Sequence, residues 1–315
     1  MRALKWLLAA LALLGVAAVA IGVYFLTTAP ERAVRAAIAY ERGLAGLARR
    51  EAVLPDGLRI AYLEGGSGAP LVLLHGFGAN KDNFTRVARY LAPHYRLIIP
   101  DLIGFGESSH PPKADYAPRA QAERLRTFLH ELGVSKFHLG GNSMGGHIAL
   151  TYAAAHPSQV ESLWLLAPAG VWSAPASELR RKAEQSGANP LIVKNEEEFA
   201  ALVRLVTAKP LGIPRPFLDV LAQERIRNRD LEARIAGQLA ADSVETRIRG
   251  LAVPTLVVWG QEDRVLHPGT AGILQMLLVR SQAVLMGNIG HLPMVEAPEA
   301  CALDYLRFRA GLTTS

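Results

Sequence analysis

A chain of 315 residues, half of them hydrophobic and a fifth charged, has the composition of a folded protein with one large domain and room for an insertion, which excludes a disordered chain. Its single cysteine, Cys301, excludes an intramolecular disulfide. The net charge of +6 and pI of about 9.6 do not indicate a nucleic-acid partner, because the arginines are dispersed and no binding motif accompanies them.

Arg2 and Lys5 precede an uncharged run of 21 residues, 6–26. As a helix it would span roughly 31 Å, close to the ~30 Å hydrocarbon core of a bilayer. Residues 1–28 are therefore read as a retained single-pass membrane anchor. The alternative is export with signal cleavage after Ala18-Val19-Ala20, which would leave Ile-Gly-Val-Tyr-Phe-Leu at the new terminus. Arg32, Arg35 and Arg42 balance Arg2 and Lys5 across the run and leave orientation open. Residues 29–50 follow as an amphipathic connector helix, with Ala33, Ala37, Tyr40, Leu44 and Leu47 at helical spacing. It would lie either on an anionic membrane surface or against the domain that follows.

From residue 51 the pattern changes. Residues 51–54 and 58–63 flank Pro55-Asp56-Gly57 and read as a β-hairpin. The apolar run 70–74 is a strand buried on both faces, ending in His75-Gly76-Phe77-Gly78. A helix over 80–91, a strand over 95–99, a helix over 118–131 and a strand over 134–139 come next. A helix over 147–155 and a strand over 160–167 complete this part. Such alternation indicates an α/β protein with a mostly parallel sheet flanked by helices. Residues 172–246 break the rhythm: they are charged, helical in character and punctuated by Pro190, Pro210, Pro214 and Pro216. They read as a helical cap inserted into a core made of 51–171 and 247–315. Strand 254–259, helix 269–278, strand 282–285 and helix 298–309 close the chain.

Gly141-Asn142-Ser143-Met144-Gly145-Gly146 lies between a predicted strand and a helix, the context of a nucleophile elbow. Gly141 and Gly145 remove side chains that would collide in so tight a turn, and Ser143 stands at a helix N-terminus that favours developing negative charge. A serine needs a base, usually histidine, oriented by a carboxylate. Asp263 follows strand 254–259 and His291 follows the last strand, so both fall in loops at the serine's sheet edge. Glu262 is the rival acid, with its side chain expected to point the other way. His267 is the rival base, too near Asp263 in sequence to come from a separate loop. The N–H of Met144 and that of Phe77 are the expected oxyanion donors. His75 is expected to shape the Phe77 loop rather than to transfer protons, and Asp101 to anchor its own loop. No metal or organic cofactor is implied.

His75-Gly76-Phe77-Gly78, the stretch from Asp101 to Ser108 (DLIGFGES), the elbow, Trp259-Gly260-Gln261-Glu262-Asp263 and Gly290-His291 together resemble α/β-hydrolase-fold serine esterases. Asn80-Lys81-Asp82-Asn83-Phe84 and the stretch from Ser162 to Gly170 (SLWLLAPAG) carry a finer likeness to bacterial triacylglycerol lipases and membrane-anchored monoacylglycerol lipases. The resemblance runs from about residue 50 to the carboxyl end. It implies a carboxylic-ester hydrolase acting on acylglycerol or other lipid esters, with membrane contact through the amino-terminal segment. The elbow also resembles that of carbon–carbon bond hydrolases of aromatic ring-cleavage products, which would use the same three residues. A non-enzymatic receptor on a hydrolase fold is the third reading; such proteins often lose a triad member, and none is lost here.

Overall fold

The computed structural model describes residues 28–313 together with Arg2, Trp6, Leu13, Gly15, Gly22 and Tyr24. The anchor expected over 1–28 lies almost wholly outside the described residues. Among those described, no helix is long and apolar enough to cross a membrane.

Helix α1 (Pro30–Leu44) starts on a proline, whose missing N–H costs nothing at that position. The connector does not continue to residue 50: Gly46, at φ +64°, turns the chain into strand β1 (Ala48–Val53). The buried face also differs from the expected one. Val34 is buried and Ile38 half-buried, whereas Tyr40 and Leu44 are 67% and 49% exposed. Spacing alone marked an apolar stripe, but the domain takes the neighbouring one and leaves Ala37, Tyr40 and Leu44 outside, while Leu47, beyond the helix, is buried.

β1 pairs antiparallel with β2 (Arg59–Gly65) around the Pro55-Asp56-Gly57 turn, where Asp56 Oδ1 accepts the Leu58 N–H at 3.1 Å. Strands β3 (Ala69–Leu74), β4 (Tyr95–Pro100), β5 (Phe137–Asn142), β6 (Val160–Leu166), β7 (Thr255–Gly260) and β8 (Ser281–Met286) complete an eight-stranded sheet in the order β1-β2-β4-β3-β5-β6-β7-β8. The pairs β1–β2 and β2–β4 are antiparallel and the rest are parallel. Helices α2 (Thr85–Leu91), α3 (Pro118–Glu131) and α4 (Met144–Ala155) link the strands as far as β6. Helices α5 (Glu178–Ser186), α6 (Glu196–Val206), α7 (Arg215–Ala240) and α8 (Glu245–Ile248) lie between β6 and β7. Helices α9 (Thr270–Leu277), α10 (Pro293–Glu296) and α11 (Pro298–Thr313) follow.

Three boundaries moved. The helix expected over 80–91 begins as a short 3-10 turn (Lys81–Phe84) capped by the Asn80 side chain, and α2 proper starts at Thr85. β5 starts three residues later than expected, because Val134 belongs to the end of α3: Gly133 sits at φ +67° and the Val134 N–H returns to the Leu129 carbonyl. Helix α4 starts at Met144 instead of His147.

Alternation along the strands divides the core. Val72, Leu74, Leu139 and Leu163 face the layer of α3, α4 and α9, whereas Leu71, Leu73, Trp164 and Val258 face the layer of α2 and α11. Cys301 and Tyr305 of α11 are fully buried in that second layer. Strand order reverses between β3 and β5, and ligands of such sheets bind beyond the strand ends at that crevice. Leu74 and Gly141 are register partners there, so the loop after β3 and the turn after β5 emerge side by side.

Candidate active site

Ser143 caps α4 with φ 52° and ψ −116°, a backbone conformation that costs energy for any residue with a Cβ. The turn is held from three sides. The Ser143 N–H donates to the Leu166 carbonyl at 3.0 Å, and the Ser143 carbonyl accepts from His147 and Ala169 at 3.0 and 2.9 Å. A Cβ at Gly145 would overlap the Leu74 carbonyl oxygen, and one at Gly141 would overlap Gly145 itself. Those glycines let β3 and α4 close on the serine.

His291 Nδ1 lies 2.7 Å from Asp263 Oδ2, and both residues are buried. Asp263 is thoroughly engaged. The same oxygen accepts the Trp259 indole N–H at 3.0 Å, while Oδ1 accepts the N–H groups of Val265 and Leu266 at 2.8 and 3.0 Å. Such a set of donors fixes the plane of the carboxyl group. Nε2 is the ring nitrogen left for the serine, and His291 and Ser143 line one cavity. Glu262 is exposed, and His267 Nδ1 accepts the Gly269 N–H at 3.0 Å. Neither rival has a hydrogen bond to the other candidates.

Met144 opens α4, so its N–H has no acceptor within the helix. Gly76 lies against the serine, where an added Cβ would be 3.4 Å from Ser143 Cβ. The following residue, Phe77, rests edge-on to Phe105 at 5.8 Å between ring centroids. His75 shapes this loop. Nδ1 meets the Gly76 carbonyl at 2.8 Å and Nε2 accepts the Leu102 N–H at 3.0 Å, a pattern that specifies the neutral ring. Burial also pushes its pKa down, which the Asp101 carboxylate only partly opposes.

Several residues support these loops. Asn142 Nδ2 donates to the Leu166 carbonyl at 2.9 Å and the His291 carbonyl at 3.1 Å, which ties the elbow to the histidine loop. Glu296 accepts the N–H groups of Gly290, Leu292 and Ala208. Lys81 is buried against Asp101 at 2.7 Å and reaches Glu107 at 3.0 Å, and Asp101 also accepts the N–H groups of Lys81 and Glu107. Partial burial alone would raise the Glu107 pKa, but hydrogen bonds from Arg49 and Lys81 hold it at about 2. Among the described residues no cluster of His, Cys, Asp or Glu is gathered to hold a metal ion.

Two cavities open at Ser143, of about 500 Å³ and 350 Å³. Both are largely apolar and are roofed by residues of the helices between β6 and β7. Such a lining suits hydrocarbon on either side of Ser143.

Comparison with known proteins gives the same picture. A family model of the alpha/beta hydrolase fold matches residues 69–197. Lipase 1 of Psychrobacter immobilis is 45% identical over 281 residues, covering 87% of this chain and 88% of that one. The monoacylglycerol lipase ABHD6 of Mus musculus is 32% identical over 254 residues, 77% of this chain and 76% of that one. Among solved structures, a membrane phospholipase A described as a bacterial virulence factor superimposes with a TM-score of 0.88 at 42% identity, covering all of both chains. With this sheet, this elbow and these relatives, the chain belongs to the α/β hydrolase fold family, among its lipases.

Proposed function

We propose that this chain hydrolyses carboxylic esters of lipids through an acyl-enzyme on Ser143, with His291 as base and Asp263 as its orienting acid. The observation that carries the reading is the His291–Asp263 contact of 2.7 Å, with His291 and Ser143 lining one cavity. Ser143 Oγ attacks the ester carbonyl carbon while its proton passes to His291 Nε2, and Asp263 stabilises the imidazolium. The N–H groups of Phe77 and Met144 hold the tetrahedral oxyanion; the loss of one such donor typically raises a barrier by ~3–4 kcal/mol. As the intermediate collapses, the carbon–oxygen bond to the alcohol breaks and His291 returns the proton to the leaving oxygen. Water, deprotonated by the same histidine, then releases the carboxylic acid.

Residues 172–246 act in this reading as the cap that supplies the apolar roof. Residues 1–28 act as a single-pass anchor that holds the site beside its lipid. The membrane phospholipase A among the similar structures supports association with a membrane.

The test is hydrolysis of p-nitrophenyl esters from acetyl to palmitoyl by the detergent-solubilised protein and by Ser143→Ala. Serine-dependent turnover that rises towards medium or long chains is expected. A wild type that turns over no ester would end the reading and direct attention to carbon–carbon substrates.

A further inference from the structure

The Gly76 carbonyl accepts the Ala79 N–H at 3.2 Å, which makes Phe77 and Gly78 the two central residues of a tight turn. Gly76 and Phe77 share one peptide unit, and in a trans peptide the carbonyl and the N–H point opposite ways. The bonds that the Gly76 carbonyl accepts from Ala79 and from His75 Nδ1 therefore fix the direction of the Phe77 N–H. Its position depends on what else bears on the turn.

One side chain of α7 does so. Arg225 is buried, and its guanidinium carbon stands 5.6 Å from the centre of the Phe77 ring. A Cβ at Gly78 would overlap that guanidinium, and Gly78 is at φ +65°, so close approach and backbone conformation both require glycine. The guanidinium is itself held by two acceptors. Nε donates to Glu232 Oε1 at 2.7 Å, and Nη2 donates to the Leu191 carbonyl at 2.6 Å. Glu232 is buried too, and its other oxygen has no hydrogen-bond partner among the described residues. An ion pair buried so deeply adds little to stability, since apolar side chains of similar volume often serve as well. What they would not supply is a flat, rigid group, fixed by two hydrogen bonds and laid on the turn.

We propose that Arg225 is a positioning residue for ester hydrolysis: from α7 it seats the Phe77–Gly78 turn so that the Phe77 N–H stands where the oxyanion forms. The proposal rests on the acyl-enzyme reading given above. Arg225 lines the cavity that Ser143 and His291 line, so its grip on the turn is exerted beside the reacting atoms. A donor aimed at a developing charge stabilises the tetrahedral state far more than the bound ester. A turn that shifts should therefore slow the chemical step and leave binding of the ester almost untouched. The helices between β6 and β7 would then act on the chemistry through this side chain as well as through the apolar roof.

The test uses the detergent-solubilised full-length protein and two ligands of the same chain length, a decyl trifluoromethyl ketone and its alcohol. Ser143 Oγ adds to the ketone carbon, its proton passes to His291, and the former carbonyl oxygen becomes an anion in the oxyanion site. The alcohol fills the cavity without forming that anion. Replacing both members of the pair, Arg225→Met with Glu232→Leu, releases the turn without leaving a charge stranded. This variant should lose about tenfold to a hundredfold in kcat on p-nitrophenyl decanoate and in ketone affinity, as a displaced catalytic group does. KM and alcohol affinity should stay within about twofold. Arg225→Lys keeps a cation beside Glu232 but no plane; it should show the same split at smaller size, and it serves if the double variant does not fold. Glu232→Gln leaves Arg225 its acceptors and should stay close to wild type. Unchanged ketone affinity and kcat, an equal fall for ketone and alcohol, or a fall in Glu232→Gln as large as in the double variant would each overturn the proposal. A wild type that neither binds the ketone through Ser143 nor hydrolyses the ester would instead defeat the acyl-enzyme reading beneath it.

Discussion

In the proposed mechanism Asp263 acts only through the four hydrogen bonds that hold its carboxylate, one of which reaches His291. Asp263→Asn replaces one acceptor oxygen with a donor and forces the wrong histidine tautomer. In serine hydrolases that change costs about 10⁴ in kcat, and steady-state kinetics on p-nitrophenyl butyrate should show a loss of that order with little change in KM. Glu296 acts one step further out. It touches no reacting atom, but its carboxylate collects the N–H groups of Gly290 and Leu292 on either side of His291. Glu296→Ala should lower kcat by about a hundredfold, the cost of a misplacement near 1 Å. Glu296→Gln, which keeps one acceptor oxygen, should recover part of that loss. Equal KM and kcat effects in both variants would point to a general loss of fold. Ser143, Asp263 and His291 stand out in the sequence as candidates because each follows a strand, and the structure places Asp263 2.7 Å from His291. Asn142 reads as part of the elbow, but its bridge to His291, 149 residues away, is not legible, and neither is Glu296, whose partner Ala208 lies in a separate loop.

At the level of elements, strand–helix alternation was readable from apolar runs, and the misplaced boundaries have local causes. β5 carries Gly140 and Gly141, residues that disfavour strands in general and are present because a Cβ at Gly140 would meet Leu73 and Trp164. Lys81 looks like a solvated charge in any sequence, yet it is buried, because Asp101 is positioned to pair with it. The contact between α4 and the end of α7 was equally hidden. His147, one turn after Ser143, meets Asp242 at 2.8 Å, and Arg247 pairs with the same carboxylate at 2.5 Å. Burial lowers the His147 pKa from 6.5 to about 4; the Asp242 carboxylate opposes this but is itself paired with Arg247. The unfolded chain thus binds more protons than the folded one between those values. The contribution of neutral His147 is complete above about pH 6.5 and is lost as the pH falls towards 4, on the order of 3 kcal/mol by linkage. Urea midpoints of the wild type measured from pH 7 to 4.5 should fall more steeply than those of His147→Gln. Parallel curves would show that this histidine is not the titrating group.

For the whole molecule, the first question is where the catalytic domain is held. Val34 and Ile38 dock α1 on the domain while Tyr40 and Leu44 remain outside. The domain therefore carries α1 with it, so the proposed anchoring rests on residues 1–28 alone. Removal of residues 1–28 should move the protein from the membrane pellet to the supernatant on ultracentrifugation, with serine-dependent ester hydrolysis retained. Protein that still sediments with membranes would place the attachment in α1 or the domain.

Cys301 has a consequence of a different kind. It is the chain's one thiol, fully buried between α11 and the sheet, with its pKa raised by that burial. A maleimide in solution can reach it only when α11 leaves the sheet. The protein thus carries a built-in chemical clock for the opening of its core. Labelling followed by intact-mass spectrometry should proceed at the opening rate when reagent is in excess, and at a rate set by the population of open molecules when it is scarce. A ligand that settles between the helices and the sheet edge should slow that clock, which gives a way to rank lipids by binding in a Ser143→Ala protein that turns none of them over.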